Sequence, residues 1–458
     1  MAGEFRGDFT RDTFDQKNNF LRVLMQQGRV QVDTDWNEQV AILLHYVQTL
    51  AEDLIGPHGG PVERSGFKIT DVKYDDNILD FLISAGNYYV NGILCQNDKD
   101  GMKYTDQPNY PLTFLSNQKQ YKIPFLVFLD VWERHITYIQ EDKIREVALG
   151  GADTATRSQV IWQVKVKELE DNFTRCTYVK NEWDSLLEQW QPKNRGHLAA
   201  KAKETTEQTE ACIIKPDARY RGNENQLYRM EIHVGGTSEQ ATFKWSRENG
   251  SVTFPIDIDS SISTTNTTIT VKLKHWWRDR RFGLAEGDWV ELFDDYISLH
   301  QLANPLWKVD KIEPDDFLVT LTGEESSTPN VGKHPLLRRW EQKERNELNL
   351  KGGTVTISAA ENDWFTLEDG VQIKFNKSTE EEEHSYRTGD YWLIPARTAT
   401  GDVEWDEDVN GTPLAIPPHG IEHHYAPLAV ITDEDEPQAQ DCRHEFHSLE
   451  RSYDQLGS

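Results

Sequence analysis

The sequence is poor in cysteine, and its cysteines form no recognisable motif. Cys95, Cys176, Cys212 and Cys442 lie far apart in a chain of 458 residues. Zinc ribbons and thioredoxin-like redox motifs place two cysteines within a few residues of each other. We therefore predict buried thiols at these four positions and no cysteine-based metal or redox centre.

The chain also lacks a long apolar run. A helix needs about 20 consecutive apolar residues to cross a bilayer, and no segment approaches that length. The first residues, MAGEFRGDFTRDTF, lack the apolar core of a secretory signal peptide. We expect a cytoplasmic protein.

Basic residues are outnumbered. The 49 Lys and Arg face 77 Asp and Glu, which gives a formal net charge of −28. A nucleic-acid backbone or an anionic lipid surface would be repelled by this charge. We expect no nucleic-acid partner.

Aromatic residues, in contrast, are abundant, with 14 Trp, 16 Tyr and 18 Phe. Beyond residue 65, short apolar runs such as ILDFLISAGNYYVNGILC (78–95), YKIPFLVFLDVWERHITYI (121–139) and SQVIWQVKVKEL (158–169) are separated by turn residues. This texture predicts a mainly β protein: a multi-domain β-sandwich and small-barrel body, preceded by one long N-terminal amphipathic helix.

Changes in composition divide the chain into six predicted segments. They are an N-terminal arm and helix (1–62), a β domain (63–180), a linker or surface excursion (181–215), a β domain with a small barrel inserted at about 275–325 (216–345), a C-terminal β domain (346–432) and an acidic tail (433–458).

The helix prediction is based on one apolar seam. Its members are Trp36, Val40, Leu43, Val47, Leu50 and Leu54, whose alternating four- and three-residue spacing places them on one face of about five helical turns. We expect Asp35, with Glu38 three residues later, to cap the start, and GPHGGP (56–61) to end the helix. Before it, Gly28 predicts a tight turn and RVQVD (29–33) a short strand.

Two clusters have the composition of a site. PPHGIEHHYAP offers His419, His423 and His424, but no HExxH helix or cysteine pair completes a ligand set, so we predict a polar turn and no metal. HWWRDRRFG groups Trp276, Trp277 and Arg280, either as arginines stacked on aromatics at a barrel edge or as a protein interface.

Motifs for catalysis are missing as well. The chain has no GxSxG elbow, no phosphate-binding glycine loop and no cysteine near a suggestive histidine pattern. Acidic pairs carry little information among 77 acids. We predict no catalytic residue, no cofactor and no enzymatic activity.

Seven stretches together resemble an uncharacterised bacterial family whose members are often encoded with contractile injection systems, the phage-tail-like particles. They are FRGDFTRDTFDQKNNFLRVLMQQGRVQVDTDWNEQ, LIGPHGG, IREVALGGADTATRSQVIWQV, RYRGNENQLYRMEIH, FKWSRENGSV, GDYWLIPARTATG and PPHGIEHHYAPLA. The resemblance spans nearly the whole chain.

The N-terminal region is also similar to phage tail and baseplate proteins, in which a comparable pattern precedes a helix. The matching positions are Phe14, Asp15, Val23, Leu24, Gly28, Arg29, Val30, Trp36, Asn37 and Glu38, followed by Gly86, Tyr88, Tyr89, Val90 and Gly92. Met25 and the Asp35-Trp36 pair depart from that pattern, which prefers an aromatic residue and an acid followed by Leu.

These resemblances imply a structural component of a contractile particle, at a baseplate or another terminal assembly, present in several copies around an axis. The predicted contacts with partner subunits are Phe14, Val23, Leu24, Arg29, Trp36, Val40, Leu43, Val47, Trp276, Trp277 and Arg280. Two alternatives stay open: a particle-end module that binds glycan or a cell-envelope target through Trp276, Trp277 or Trp364, and a hydrolase or metalloenzyme.

Overall fold

The computed structural model describes most of the chain. The described residues are 3–75, 78–110, 123–170, 175–203, 219–257, 263–264, 267–277, 279–323, 332–344, 348, 350–361, 363–377, 384–432 and 437–448. Parts of the predicted linker (204–215), inserted barrel (278, 324–325) and acidic tail (433–436, 449–458) lie outside them.

The described residues form a mainly β protein with four α-helices. The helices are α1 (Asp33–Ile55), α2 (Cys176–Asn181), α3 (Trp183–Trp190) and α4 (Asp295–His300). None of them combines the length and the apolarity that crossing a bilayer requires.

The strands are mostly short and are numbered here in chain order. They are β1 (His58–Pro61), β2 (Ile69–Asp75), β3 (Ile78–Ile83), β4 (Gly86–Val90), β5 (Ile93–Asn97), β6 (Met102–Lys103), β7 (Phe125–Ile136), β8 (Arg157–Glu168), β9 (Leu198–Ala202), β10 (Gln226–Val234), β11 (Thr242–Ser246), β12 (Thr253–Pro255), β13 (Ser263–Thr264), β14 (Thr268–Lys272), β15 (Trp289–Phe293), β16 (Leu306–Glu313), β17 (Leu318–Thr322), β18 (Leu336–Trp340), β19 (Val355–Thr356), β20 (Phe365–Thr366), β21 (Val371–Phe375), β22 (Tyr391–Arg397), β23 (Asp402–Val403), β24 (His424–Ile431), β25 (Ala439–Asp441) and β26 (Glu445–Phe446).

The first core combines residues between 67 and 166 with residues from the C-terminal part of the chain. Three sheets surround it, with strand orders β25-β24-β7-β8, β26-β1-β4-β5 and β2-β3-β6. Strand β24 pairs antiparallel with β7, and its Leu428 packs in one cluster with Phe67, Tyr88 and Val127. Residues of the predicted C-terminal domain and tail therefore complete the sheets of the first domain.

The second core lies between two sheets, ordered β19-β11-β10-β22-β23 and β20-β21-β9. Trp245, Phe375 and Trp392 pack at its centre and are fully buried. Strand β9 belongs to the segment predicted as a linker, yet its Leu198 and Ala200 are also fully buried because β9 pairs with β21.

The third core is the inside of a half-barrel. Its seven strands have the order β12-β18-β15-β16-β17-β14-β13, and alternate residues such as Val309, Val319 and Leu321 point inward and are buried. Strand β11 pairs with β10 and β19 whereas β12 pairs with β18, so the turn at Asn249 and Gly250 connects two different sheets.

A disulfide corrects the prediction for two of the cysteines. Cys176 at the start of α2 and Cys442 after β25 are bonded across 266 residues of sequence. Cys95 is a buried free thiol, as predicted, and burial raises its pKa. Cys212 lies outside the described residues.

Candidate functional site

The first described residues of the N-terminal segment are buried. Glu4 and Arg6 are buried; the backbone N–H of Glu4 donates to the carbonyl of Glu133 on β7 (2.9 Å), and the Tyr391 hydroxyl donates to the carbonyl of Gly3 (2.8 Å). Residues 3–7 are therefore anchored in the interior, and the chain first reaches the surface at Asp8.

From Thr10 onward, the arm runs along helix α1. The Thr10 N–H donates to the Asp33 carboxylate (2.8 Å), the Thr13 hydroxyl to Glu38 (2.6 Å), and the Val23 N–H to the side-chain oxygen of Gln39 (2.9 Å). These bonds hold the arm against the first two turns of the helix.

The C-terminal half of α1 is fixed to the body. The Asn91 side chain donates to Glu52 (3.0 Å). A Cβ on Gly92 would lie 2.1 Å from the carbonyl oxygen of Gln48, and Gly92 has φ +74°, so only glycine allows this close approach. The helix ends before Gly56 as predicted, with the Gly56 N–H bonded to the Glu52 carbonyl.

The start of α1 differs from the prediction. The helix begins at Asp33, and Asp35 is its third residue, whose carboxylate accepts the N–H of Val32 (3.4 Å). No strand forms at 29–33, because these residues leave the predicted turn at Gly28 and lead directly into the helix. The five alternating residues at 29–33 have no neighbouring strand to pair with among the residues that the structure describes, so they do not form a strand.

The apolar seam of α1 is exposed. Each of its six residues, Trp36, Val40, Leu43, Val47, Leu50 and Leu54, leaves between 39 and 68% of its surface open. At 100° per residue, the two buried positions of the helix, Thr34 and Ile42, fall on the opposite side. The seam therefore faces away from its own chain.

Eight further apolar side chains on the arm and on α1 are exposed. Those on the arm are Phe20, Leu21, Leu24, Met25, Val30 and Val32, and those on the helix are Leu44 and Tyr46. Together with the seam they form what we call the arm–helix surface. Fourteen such side chains, each more than a third open, expose apolar area on the order of 1,000 Å², more than the largest patch on a typical monomer.

Other predicted contacts on the arm have mixed exposure. Arg29 is exposed. Phe14 and Val23 are half-buried, and the Phe14 ring lies 5.8 Å from the ring of His45 on α1. Phe14 and Val23 thus help to attach the arm to the helix.

The HWWRDRRFG cluster packs into the half-barrel. Trp276 stacks on Phe317 (5.3 Å between centroids) and donates its indole N–H to the Pro314 carbonyl (2.9 Å), and Trp277 meets Trp276 edge-on (4.5 Å). The neighbouring guanidinium of Arg281 lies over the ring of Phe282, whereas Arg280 is exposed. One arginine of the cluster, Arg281, thus lies on an aromatic ring.

The three candidate histidines do not converge. His423 contacts Asp130 (2.6 Å), His419 accepts the N–H of Leu393 (3.2 Å), and His424 lies at the start of β24. Burial lowers the pKa of His419 to about 4. Among the described residues, no group of three or more His, Cys, Asp or Glu is placed to hold a metal ion.

A cavity of about 470 Å³ opens between the second core and the half-barrel. His233 and Thr242 line one side, and Trp289 and Lys308 the other. Burial lowers the pKa of His233 to about 4, so this imidazole is neutral near pH 7. The cavity resembles a binding cleft in size.

Residues 5–192 and 175–453 match a family described as Family of unknown function (DUF6519). Because these ranges cover nearly the whole chain, the chain belongs to this family. No curated protein and no solved structure matches the chain.

Proposed function

We propose that the protein is a non-enzymatic structural subunit of a contractile injection system or phage-tail-like particle, an adaptor at the baseplate or another terminal assembly. The arm–helix surface would attach it to another subunit, and the β body would project outward. The observation that carries this proposal is the seam of α1, which is exposed on a helix that is fixed by the arm on one side and by Asn91 and Gly92 on the other.

The size of the surface supports a stable contact. A standard protein interface buries about 800 Å² on each partner, and the arm–helix surface exposes apolar area on that order. Leaving so much apolar surface in water is unfavourable by about 25 cal/mol per Å². An amphipathic helix with this exposed face is suited to an apolar groove on a partner.

Charge indicates what kind of partner that is. Helix α1 contains five acids, Asp33, Asp35, Glu38, Glu52 and Asp53, and no Lys or Arg. Two such helices packed face to face would repel each other, and the −28 charge of each chain adds to this. We therefore infer a different subunit whose apolar groove is rimmed by Lys or Arg.

Assembly around an axis would place several copies of this acidic chain close together. Specific contacts to a basic partner offset that repulsion better than contacts between the copies do. In this proposal the protein is cytoplasmic and assembled into a particle, and no cofactor takes part.

Point variants in the seam test the attachment. Val47→Glu with Leu50→Glu places two charges on the exposed face and does not touch residues 3–7 in the interior, so the free protein should keep its melting temperature. The matched control is Val147→Glu with Leu149→Glu, two side chains of the same types that are exposed elsewhere. Each variant is expressed in the producing cells, and its amount is measured in purified particles.

The seam variant should be lost from particles while the control remains. If the seam variant stays bound in the wild-type ratio, the attachment surface is wrong. If wild-type protein is not found in particles at all, the particle role is wrong.

The alternative function is a module that binds glycan or a cell-envelope target. The 470 Å³ cavity with Trp289 and Lys308 favours it, whereas Trp276 is occupied by Phe317 and Pro314, and Trp364 by Lys201, whose amine lies 4.7 Å from its ring centroid. Binding of the purified protein to a glycan array, lost in Trp289→Ala, would support this alternative.

A further inference from the structure

A cluster of charges, all buried except the half-buried Asp295, lies where the N-terminal segment meets β10, β15 and β18. Its cations are Arg6, Arg134, Arg229, Lys244 and Arg338, and its anions are Glu4, Glu231, Glu291 and Asp295. We call this set the core charge cluster. With five cations and four anions, it has one positive charge in excess.

Each carboxylate of the cluster already has a cation. Glu231 accepts from Arg6 (3.0 Å) and Arg229 (2.6 Å). Glu291 pairs with Lys244 (2.6 Å).

The other two carboxylates are also engaged. Asp295 pairs with Arg134 (2.7 Å). Glu4 contacts Arg6 through one oxygen and accepts the Ser298 hydroxyl through the other (3.2 Å). All four anions are thus used without Arg338.

Arg338 is the cation left over. It is 7% exposed, one of its terminal nitrogens donates to the Gly250 carbonyl, and its guanidinium lies 5.1 Å from the ring centroid of Phe293. Its Nε has no hydrogen-bond partner, and it forms no ion pair with any carboxylate in the described part of the chain. Burial, with Arg6 next in weight, lowers the pKa of Arg338 to about 9, so the side chain is still charged at pH 7.

A second side chain near Arg338, the imidazole of His135, also has a nitrogen without a hydrogen-bond partner. His135 Nε2 is buried and has no hydrogen-bond partner. Burial lowers the pKa of His135 to about 3, and Arg338 makes the largest charge contribution to that shift. The imidazole is therefore neutral and can donate a hydrogen bond from Nε2.

Both side chains line one small cavity of about 40 Å³, together with Arg6, Arg134 and Phe293. The carboxylate of Glu4 also lines it and is paired with Arg6. A single water needs about 10–15 Å³ of such space. The cavity therefore has room for a small ion with a water, but it is too small for a nucleotide or a peptide. Four further lining residues, Thr137, Gln140, Ser251 and Thr253, are polar and half-buried.

We propose that this cavity binds one small monovalent inorganic anion of the chloride class, held by Arg338 and His135. A buried charge without a counter-charge is strongly unfavourable. A water molecule could accept a hydrogen bond from Nε, but it would leave the positive charge uncompensated. One monovalent anion balances the five cations.

Thermal unfolding at constant ionic strength tests the proposal, with sodium chloride or sodium bromide replacing sodium gluconate, whose anion is too large for the cavity. The melting temperature of the wild-type protein should rise with halide and then saturate, because a ligand bound only to the folded state stabilises it. Arg338→Met removes the excess charge and should abolish the halide dependence. Arg22→Met, at an exposed arginine of the arm, should retain it.

Crystals of the wild-type protein grown in bromide give a direct measurement that does not depend on any variant. An anomalous peak between Arg338 and His135 is the expected result. A halide-independent melting temperature, or a cavity filled only with water in bromide, would overturn the proposal.

Discussion

Replacing Glu231 by Gln should destabilise the second core and the half-barrel together. Glu231 is 2% exposed, and Arg6, Arg229 and Lys244 all lie within 3.5 Å of its carboxylate. The substitution keeps the shape and removes the charge that these three cations share.

The expected loss is about 3–5 kcal/mol, because removing one partner of a buried ion pair leaves uncompensated charge in a poorly solvated site. Since each 1.4 kcal/mol is a factor of ten, amide protection in β10 and β11 should fall by about 10²–10⁴-fold. Hydrogen exchange measured by mass spectrometry reports this locally, even if the three cores unfold in separate steps.

The effect depends on pH in a defined direction. Burial alone would raise the pKa of Glu231, but Arg6, Arg229 and Lys244 hold it well below its ordinary value of 4.5. A carboxylate with a depressed pKa contributes stability above its ordinary value and loses that contribution as pH falls through the folded pKa. The difference between wild type and Glu231→Gln should therefore be full at pH 7 and shrink below pH 4.5.

Glu286→Gln is the control, because Glu286 is exposed and its loss should change stability by less than about 0.5 kcal/mol. If Glu231→Gln is no more destabilising than this control at pH 7, the reasoning about the buried charges is refuted.

Two further predictions concern the disulfide and a buried acid. Cys442→Ser should lower the free energy of unfolding by about 2–5 kcal/mol, because the Cys176–Cys442 bond closes a long loop. Reductant should destabilise the wild type to the same extent and leave the variant unchanged. Burial raises the pKa of Glu368 to about 7, so wild type should lose stability from pH 5 to pH 8 relative to Glu368→Gln in urea titrations; equal pH profiles would contradict this.

Local signals in the sequence predicted local structure well. The run at 78–95 contains strands β3, β4 and β5 with a turn at Asn91 and Gly92, and the runs near 125 and 158 are β7 and β8. The end of α1 at Gly56 followed in the same way from glycine and proline. Such features depend on neighbours within a few residues, which the sequence displays directly.

Structural features that depend on residues distant in sequence could not be predicted. The alternation of Arg229, Glu231 and His233 along β10 places three polar side chains on one face, and this was the one hint of the buried charges. Their neighbours in the cluster, Arg6 and Arg338, lie more than 100 residues away in sequence. Cys442 is likewise distant from Cys176. Nothing in the local pattern distinguishes them from surface residues.

By itself, the sequence determined that the chain is mainly β, and it predicted that six apolar residues of α1 share one side of the helix, because strand alternation and helical spacing are properties of consecutive residues. Only the tertiary structure decided which way that face points. It directs Ile42 inward and the seam outward, since Asn91 and Gly92 contact the helix at Glu52 and Gln48. The side of the helix that faces solvent depends on where the turn at Asn91 and Gly92 contacts it. That contact forms only in the folded protein, because the turn is distant from the helix in sequence.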